Sequence, residues 1–143
     1  MISQRSLVTV LFTDIVGSTE RASELGDHAW HKVLEQHHAR VRSQLRRSGG
    51  REVATAGDGF LAVFDEPAQA MMCAWAVRDA VREGGVEIRC GVHMGAVDHV
   101  AGNVGGIGVH IAARVLGEAD AGEILVSQTV HDSEAGSGFV FKD

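Results

Sequence analysis

The sequence predicts an α+β fold with a central, mostly antiparallel sheet flanked by helices. Short apolar runs rich in β-branched residues alternate with longer segments of helical periodicity. Two of these runs, at residues 51–56 and 60–64, are separated only by Gly57-Asp58-Gly59, which indicates a tight hairpin. The resulting order, β–αα–ββ–α–β–α–β–α–β, favours a sandwich of the ferredoxin-like type.

The first element is an apolar strand at residues 6–13, and Asp14 stands at its end. Gly17 then permits a turn, and Ser18 or Thr19 can cap a following helix. A carboxylate beside a helix N-terminus can hold a cation with bound phosphates, since the free backbone N–H groups favour anions. On this stretch alone, the simpler interpretation of Asp14 is a turn or capping residue.

The rest of the chain continues the alternation of helices and strands. Four histidines lie on the second helix without metal-ligand spacing, and we interpret them as mostly solvated: His28, His31, His37 and His38. Helices are predicted at 18–25, 28–47, 68–82 and 109–116, and a short last helix, capped by Ser127, is predicted to end at about residue 135. Further strands are predicted at 86–97, 122–126 and 139–141. A glycine-rich loop is predicted at 98–108.

Composition narrows the possible functions. The 143 residues suffice for one domain with a core, and the net charge of −6 argues against a general nucleic-acid binder. An acidic protein that handles polyphosphate needs metal cations. Cys73 and Cys90 lie in apolar patterns, which favours two reduced, buried thiols in a cytoplasmic protein over a disulfide. No apolar run is long enough to cross a bilayer, so membrane insertion is not expected.

Two acidic residues form the candidate site. In a ferredoxin-like core, the first strand and the central hairpin are neighbours, so Asp14 and Asp58 can converge at one edge of the sheet. Paired carboxylates beside a phosphate-binding turn suit one or two Mg²⁺ or Mn²⁺ ions. The alternative for Asp58 is a simple turn residue, because Asp-Gly is common in hairpins.

Three motifs occur in order: FTDIVGST at 12–19, GDGFLAVF at 57–64 and VHIAARV at 109–115. Together they resemble the class III nucleotidyl cyclases, the adenylyl and guanylyl cyclase homology domain, most closely its bacterial branch. The resemblance extends from Leu7 to Phe141. It implies a cyclase fold and a head-to-tail homodimer whose active sites combine residues of both chains. It also implies a single domain, residues 1–143, that lacks the family's final strand or hairpin.

The resemblance assigns roles to individual residues. Asp14 and Asp58 match the family's two metal-binding aspartates, which hold two Mg²⁺ or Mn²⁺ ions with the backbone of Ile15. Arg114 matches the arginine that the partner chain extends to the triphosphate, where a planar, permanently charged guanidinium suits developing phosphate charge. Its alternative is a surface ion pair with Glu118. The matching phosphate-binding residues are Val16, Gly17, Ser18 and Thr19.

Three positions depart from the family pattern. Ala54 stands where the adenine-selecting lysine is expected, and Asn103 stands where its partner aspartate is expected. His110 replaces the asparagine that helps orient the ribose, a change familiar in the bacterial branch. Loss of one charged hydrogen bond to the base costs about 1.5–3 kcal/mol, so base selectivity should be weak.

The implied reaction is one-step cyclisation, in which the ribose 3′-oxygen attacks the α-phosphorus and pyrophosphate leaves. By family precedent the substrate is ATP rather than GTP, and the product is 3′,5′-cyclic AMP. Two alternatives stay open, a cyclase that accepts GTP and a degenerate module that binds nucleotide or only dimerises. An unrelated nucleic-acid domain is disfavoured by the negative charge and the absence of tyrosine.

Overall fold

A computed structural model describes residues 4–142. Eleven elements follow one another in these residues. The strands are β1 (Gln4–Ile15), β2 (Arg51–Ala56), β3 (Gly59–Phe64), β4 (Ile88–Val100), β5 (Asn103–Gly105) and β6 (Ile124–Val126). The helices are α1 (Ser18–Leu25), α2 (Asp27–Ser48), α3 (Pro67–Glu83), α4 (Ile107–Glu118) and α5 (Gln128–Ser133).

The strands form one six-stranded sheet in the order β2-β3-β1-β4-β5, with β6 added parallel to β4. β1 runs antiparallel to both β3 and β4, so it lies at the centre. The β4-β1-β3-β2 order is that of a ferredoxin-like core. The predicted mostly antiparallel α+β fold is therefore confirmed, and the hairpin lies beside the first strand as expected.

Each face of the sheet has its own apolar cluster because successive strand residues point to opposite faces. Leu11 belongs to the larger cluster, which the sheet shares with α2 and α3. Val10, the next residue along, belongs to the smaller cluster with Ala112 of α4. The sheet is thus covered by α2 and α3 on one face and by α4 on the other.

The close packing of α4 on β4 depends on a glycine. A Cβ atom added at Gly91 would lie 2.5 Å from the amide nitrogen of Leu116 and 2.8 Å from its Cα. Both contacts are to backbone, which cannot rotate away. Gly91 therefore sets the distance at which α4 crosses the sheet.

Several predicted boundaries were wrong. The segment 98–108 is not one loop, because β4 continues to Val100 and pairs with β5 across a two-residue turn. Ala101 and Gly102 both have positive φ there, 52° and 83°, as a type I′ hairpin turn requires. Residues 139–141 form no strand; Phe139 instead stacks on Trp75 of α3, with 5.7 Å between ring centroids.

The helix α1 has the predicted bounds, but its capping differs from the prediction. The helix begins at Ser18 itself, and the capping position is Gly17 with φ 69°. No side chain makes a capping hydrogen bond, so neither Ser18 nor Thr19 acts as a cap. The first backbone N–H groups of α1 lack intrahelical partners, as at the start of any helix, and no capping side chain among residues 4–142 covers them.

Candidate active site

Asp14 lies within β1 rather than after it, because the ladder with β4 continues as far as the Ile15–Ile88 pair. This register places Arg89 directly across from Asp14. The guanidinium donates through Nε to Oδ1 at 2.8 Å and through Nη2 to Oδ2 at 3.1 Å. Such a bidentate pair is a strong, oriented contact. Both carboxylate oxygens of Asp14 thus have a cationic partner, and the hydrogen bonds that Arg89 donates to Asp14 raise the pKa of the guanidinium.

Asp58 occupies the tip of the β2–β3 hairpin and points back to β1. Its Oδ2 accepts a hydrogen bond from the backbone N–H of Ile15 at 3.1 Å. The hairpin approaches closely, since a Cβ added at Gly59 would lie 3.2 Å from the Thr13 carbonyl oxygen and 3.9 Å from the Asp14 Cβ. The two acids therefore converge around the backbone of Ile15, as the sequence predicts.

An open cleft of about 300 Å³ adjoins Asp58, and Asp14 is not among its lining residues. Its lining includes Asp58, the start of α1 and the side chains of Trp30 and Leu34 from α2. The predicted role of Val16 in phosphate binding changes, because its amide donates to the Glu87 carbonyl at 2.8 Å and is not free for phosphate. Of the predicted phosphate-binding residues, Gly17, Ser18 and Thr19 remain at the uncapped helix start.

The donor set suits a hard divalent cation completed by substrate. Residues 4–142 contain no group of three or more acidic, histidine or cysteine side chains placed to hold a metal by themselves. Asp14 and Asp58 supply two carboxylates instead. Mg²⁺ is commonly bound through one or two carboxylates together with substrate phosphates, so this arrangement fits the predicted ion. Arg89 is the competing cation that such an ion would have to displace from Asp14.

His110 and Arg114 lie one helical turn apart on α4, and both are exposed. Neither side chain makes a hydrogen bond or ion pair in the part of the chain that the structure describes. The alternative of an Arg114–Glu118 ion pair is therefore not observed there. Arg114 is also absent from the lining of the cleft beside Asp58. An exposed, unengaged guanidinium is available to a second molecule.

Ala54 and Asn103 lie on opposite edge strands, β2 and β5, and both are exposed. Their neighbours Val53 and Val104 nevertheless pack against the same apolar cluster on the α4 face. Neither Ala54 nor Asn103 carries a charge that could recognise a base edge.

The histidines of α2 depart most from the prediction. His28 and His31 are exposed, but His37 is only 1% exposed and His38 is half-buried. Burial, assisted by the charge of His38, lowers the pKa of His37 to about 4. Neither ring nitrogen of His37 makes a hydrogen bond within residues 4–142.

Sequence reasoning missed Arg89 and the pair His37 and His38. For Arg89 no local signal existed, because its place opposite Asp14 depends on the register between the first and fourth strands. For the histidines the signal was their helical spacing to Val41 and Leu45, both buried.

Two further expectations have simple outcomes. Cys73 and Cys90 are both buried free thiols, as predicted, and burial raises the pKa of Cys90 to about 12. Between residues 4 and 142, no helix is long and apolar enough to cross a membrane.

Comparison with known proteins now identifies the class. The family model "Adenylate and Guanylate cyclase catalytic domain" matches residues 2–143, so the chain belongs to this family. The adenylate cyclase of Lachancea kluyveri is 32% identical over 151 aligned positions, which cover 84% of this chain but only 8% of that protein. The chain thus corresponds to a small part of that relative.

Solved cyclase structures share the fold. An adenylate/guanylate cyclase/hydrolase from Silicibacter pomeroyi is 28% identical, with a TM-score of 0.84 over 99% of this chain and 88% of that one. The monomeric guanylyl cyclase domain of the RhoGC fusion protein from Blastocladiella emersonii is 24% identical, with a TM-score of 0.90 over 98% and 91%. At that identity the second match supports the fold alone.

Proposed function

We propose that this chain is a metal-dependent nucleotide cyclase that converts ATP to 3′,5′-cyclic AMP and pyrophosphate with weak base selectivity. One observation carries the proposal: Asp14 and Asp58 meet around the Ile15 backbone, beside the uncapped start of α1. Family membership supplies the reaction class. The free thiols support a reducing compartment, so the proposal puts the reaction in the cytoplasm.

In this proposal, Asp14, Asp58 and the Ile15 carbonyl would hold Mg²⁺ or Mn²⁺, two ions per site. Bound there, such ions would supply the positive charge that neutralises the triphosphate and lowers the pKa of the ribose 3′-hydroxyl. The N–H groups at Gly17, Ser18 and Thr19 orient phosphate oxygens. The 3′-oxygen then bonds to the α-phosphorus as the bond to pyrophosphate breaks, and the hydroxyl proton passes to solvent.

Arg114 acts on a neighbouring chain. Its exposed, unpaired guanidinium supports a homodimer in which each site takes Arg114, and His110 for the ribose, from the partner. The dimer can be tested by mixing Asp58→Asn with Arg114→Ala, each inactive alone. Random pairing restores one working site in the mixed dimers, so about a quarter of wild-type activity should return. No recovery on mixing would contradict a shared site.

The activity itself is tested with purified protein, ATP or GTP, and Mg²⁺ or Mn²⁺. We expect cyclic AMP formation that Asp14→Asn and Asp58→Asn both abolish. Absence of any cyclic nucleotide with either substrate and either ion would refute the proposal.

A second candidate function is a degenerate cyclase domain that binds nucleotide or only dimerises, and Ala54 and Asn103 favour it. The double change Ala54→Lys with Asn103→Asp separates the two candidates. A charged hydrogen bond contributes about 1.5–3 kcal/mol, so ATP turnover at low substrate should rise about 10- to 100-fold in a working cyclase. No gain, together with inactive parent protein, would favour the regulatory module. Preferential use of GTP by the parent would instead identify a guanylyl cyclase.

A further inference from the structure

The hairpin that carries Asp58 rests against one face of α2. His38 lies at the centre of this contact, with its Nε2 2.8 Å from the carbonyl oxygen of Gly57. Its ring meets the ring of Phe60 edge-on, at 5.4 Å between centroids and 83° between planes. One turn further along α2, Arg42 lies over the same Phe60 ring at 5.6 Å. It also forms a bidentate ion pair with Glu52 of β2.

The hydrogen bond from His38 reaches the backbone immediately before the candidate metal ligand. A carbonyl oxygen only accepts, so Nε2 carries the proton. The Gly57 carbonyl belongs to the peptide unit whose nitrogen is that of Asp58. From the opposite side, the N–H of Ile15 donates to the Asp58 carboxylate at 3.1 Å. Two donors on different elements therefore hold one turn.

The turn is closed at its base by the Ala56–Gly59 pair. Its first residue, Gly57, has φ +58° and open space around the position of a Cβ atom, so no side chain of residues 4–142 packs there. Glycine loses more conformational freedom on ordering than other residues. A hydrogen bond from a residue anchored on a helix restricts that freedom directly, because the ring of His38 is itself held against Phe60.

We propose that His38 is a positioning residue for Asp58, which it holds in the orientation that binds the divalent cation. The proposal rests on the proposed function in that Asp58 is taken as a metal ligand. His38 touches neither substrate nor cation in this role, and it acts through the Gly57 carbonyl.

Three variants test the role. His38→Phe keeps an aromatic ring against Phe60 but removes the donor. His38→Gln offers an amide N–H close to the place of Nε2. His31→Phe makes the same substitution at an exposed position of α2, where the histidine pairs with Glu35, and serves as the matched control.

The first measurement is the affinity of the protein for Mn²⁺ without nucleotide, which the EPR signal of free Mn²⁺ reports. Loss of a hydrogen bond that orients a ligand typically weakens metal binding about 10-fold or more, and we expect this for His38→Phe. His38→Gln should recover most of the affinity, and His31→Phe should match the wild type. Excess Mn²⁺ should restore kcat in His38→Phe, which a general structural defect would not allow.

The second measurement is amide hydrogen exchange without metal or nucleotide, and it decides the matter if Mn²⁺ binding is too weak to titrate. In His38→Phe, exchange should accelerate at the amide of Ile15, which donates a hydrogen bond to Asp58. It should stay unchanged at the amide of Cys90, which donates to the Glu123 carbonyl elsewhere in the sheet. Equal Mn²⁺ affinity and equal Ile15 exchange in His38→Phe and wild type would overturn the proposal. A loss of Mn²⁺ affinity in His38→Gln as large as that in His38→Phe would also overturn it.

These outcomes are separable from those of the cyclase proposal. A wild-type protein that forms no cyclic nucleotide, yet shows both responses to His38→Phe, would refute the cyclase and leave the positioning role intact. An active cyclase in which His38→Phe changes neither measurement would refute the positioning role alone.

Discussion

Arg89 offers the sharpest test of Asp14 as a metal ligand. The change Arg89→Met removes a bidentate partner whose two hydrogen bonds measure 2.8 and 3.1 Å. The side chains of Arg89 and Asp14 are 32% and 27% exposed, so the pair is neither buried nor fully solvated. If Asp14 binds the cation, Arg89→Met should lower stability without metal and strengthen metal binding.

The magnitude follows from this intermediate exposure. Breaking a buried ion pair costs about 3–5 kcal/mol, whereas an exposed pair contributes about 0.2–1 kcal/mol. We therefore expect Arg89→Met to lower the free energy of unfolding by about 1–3 kcal/mol at low ionic strength. In a chain of this size, such a loss lowers Tm by roughly 3–10 °C.

Urea unfolding with and without Mn²⁺ measures both effects. Mn²⁺ should recover part of the loss in Arg89→Met because the ion replaces the guanidinium as the partner of Asp14. Arg82→Met is the matched control, since Arg82 makes a similar contact with Glu87 at a more exposed position and does not contact Asp14 or Asp58 within residues 4–142. The reasoning fails if Mn²⁺ binds Arg89→Met no more tightly than wild type, or if the stability loss is identical with and without the ion.

Two more predictions concern the fold. The unfolded chain protonates His37 near pH 6.5 and the folded chain only near pH 4, so stability is lost as pH falls through this window, by up to about 3 kcal/mol. Urea unfolding at several pH values should show this component in wild type and not in His37→Leu; parallel pH curves would contradict it. Gly91→Ala should cost about 1–3 kcal/mol or more in thermal unfolding because its Cβ meets the α4 backbone. Gly117→Ala, which faces open space, should be neutral or stabilising, and equal losses in both variants would disprove the packing argument.

Local pattern was sufficient for most of the secondary structure. The helix at 18–25 and the strand at 51–56 have the predicted bounds, because each combines one clear periodicity with a glycine at its end. The strand predicted at 139–141 failed for a physical reason. Phe139 and Phe141 are partly buried against α3 and α5, as in the 4.9 Å approach of Phe141 to His131, and this contact needs no strand partner, while Val140 is 86% exposed.

Some residues of the candidate site are recognisable from local sequence, and others are brought to it only by tertiary packing. Asp14 and Asp58 are recognisable in the sequence because their chemistry lies in short motifs, and Arg114 is recognisable for the same reason. The pairing of β1 with β4 brings Arg89 to Asp14 from 75 residues away along the chain. The burial of His37 and the bond from His38 to the hairpin likewise follow from how α2 packs on the sheet.

The sequence by itself predicted the order of elements apart from β5 and the absent last strand, and it predicted Asp14 and Asp58 as candidate ligands and Ala54 and Asn103 as uncharged candidate base-contacting positions. Tertiary structure alone decided which groups contact those acids, since strand register and helix packing join residues that local periodicity does not relate. The helical pattern of the sequence placed four histidines on α2, but only the packing of that helix buries His37 and brings His38 to the Gly57 carbonyl beside Asp58.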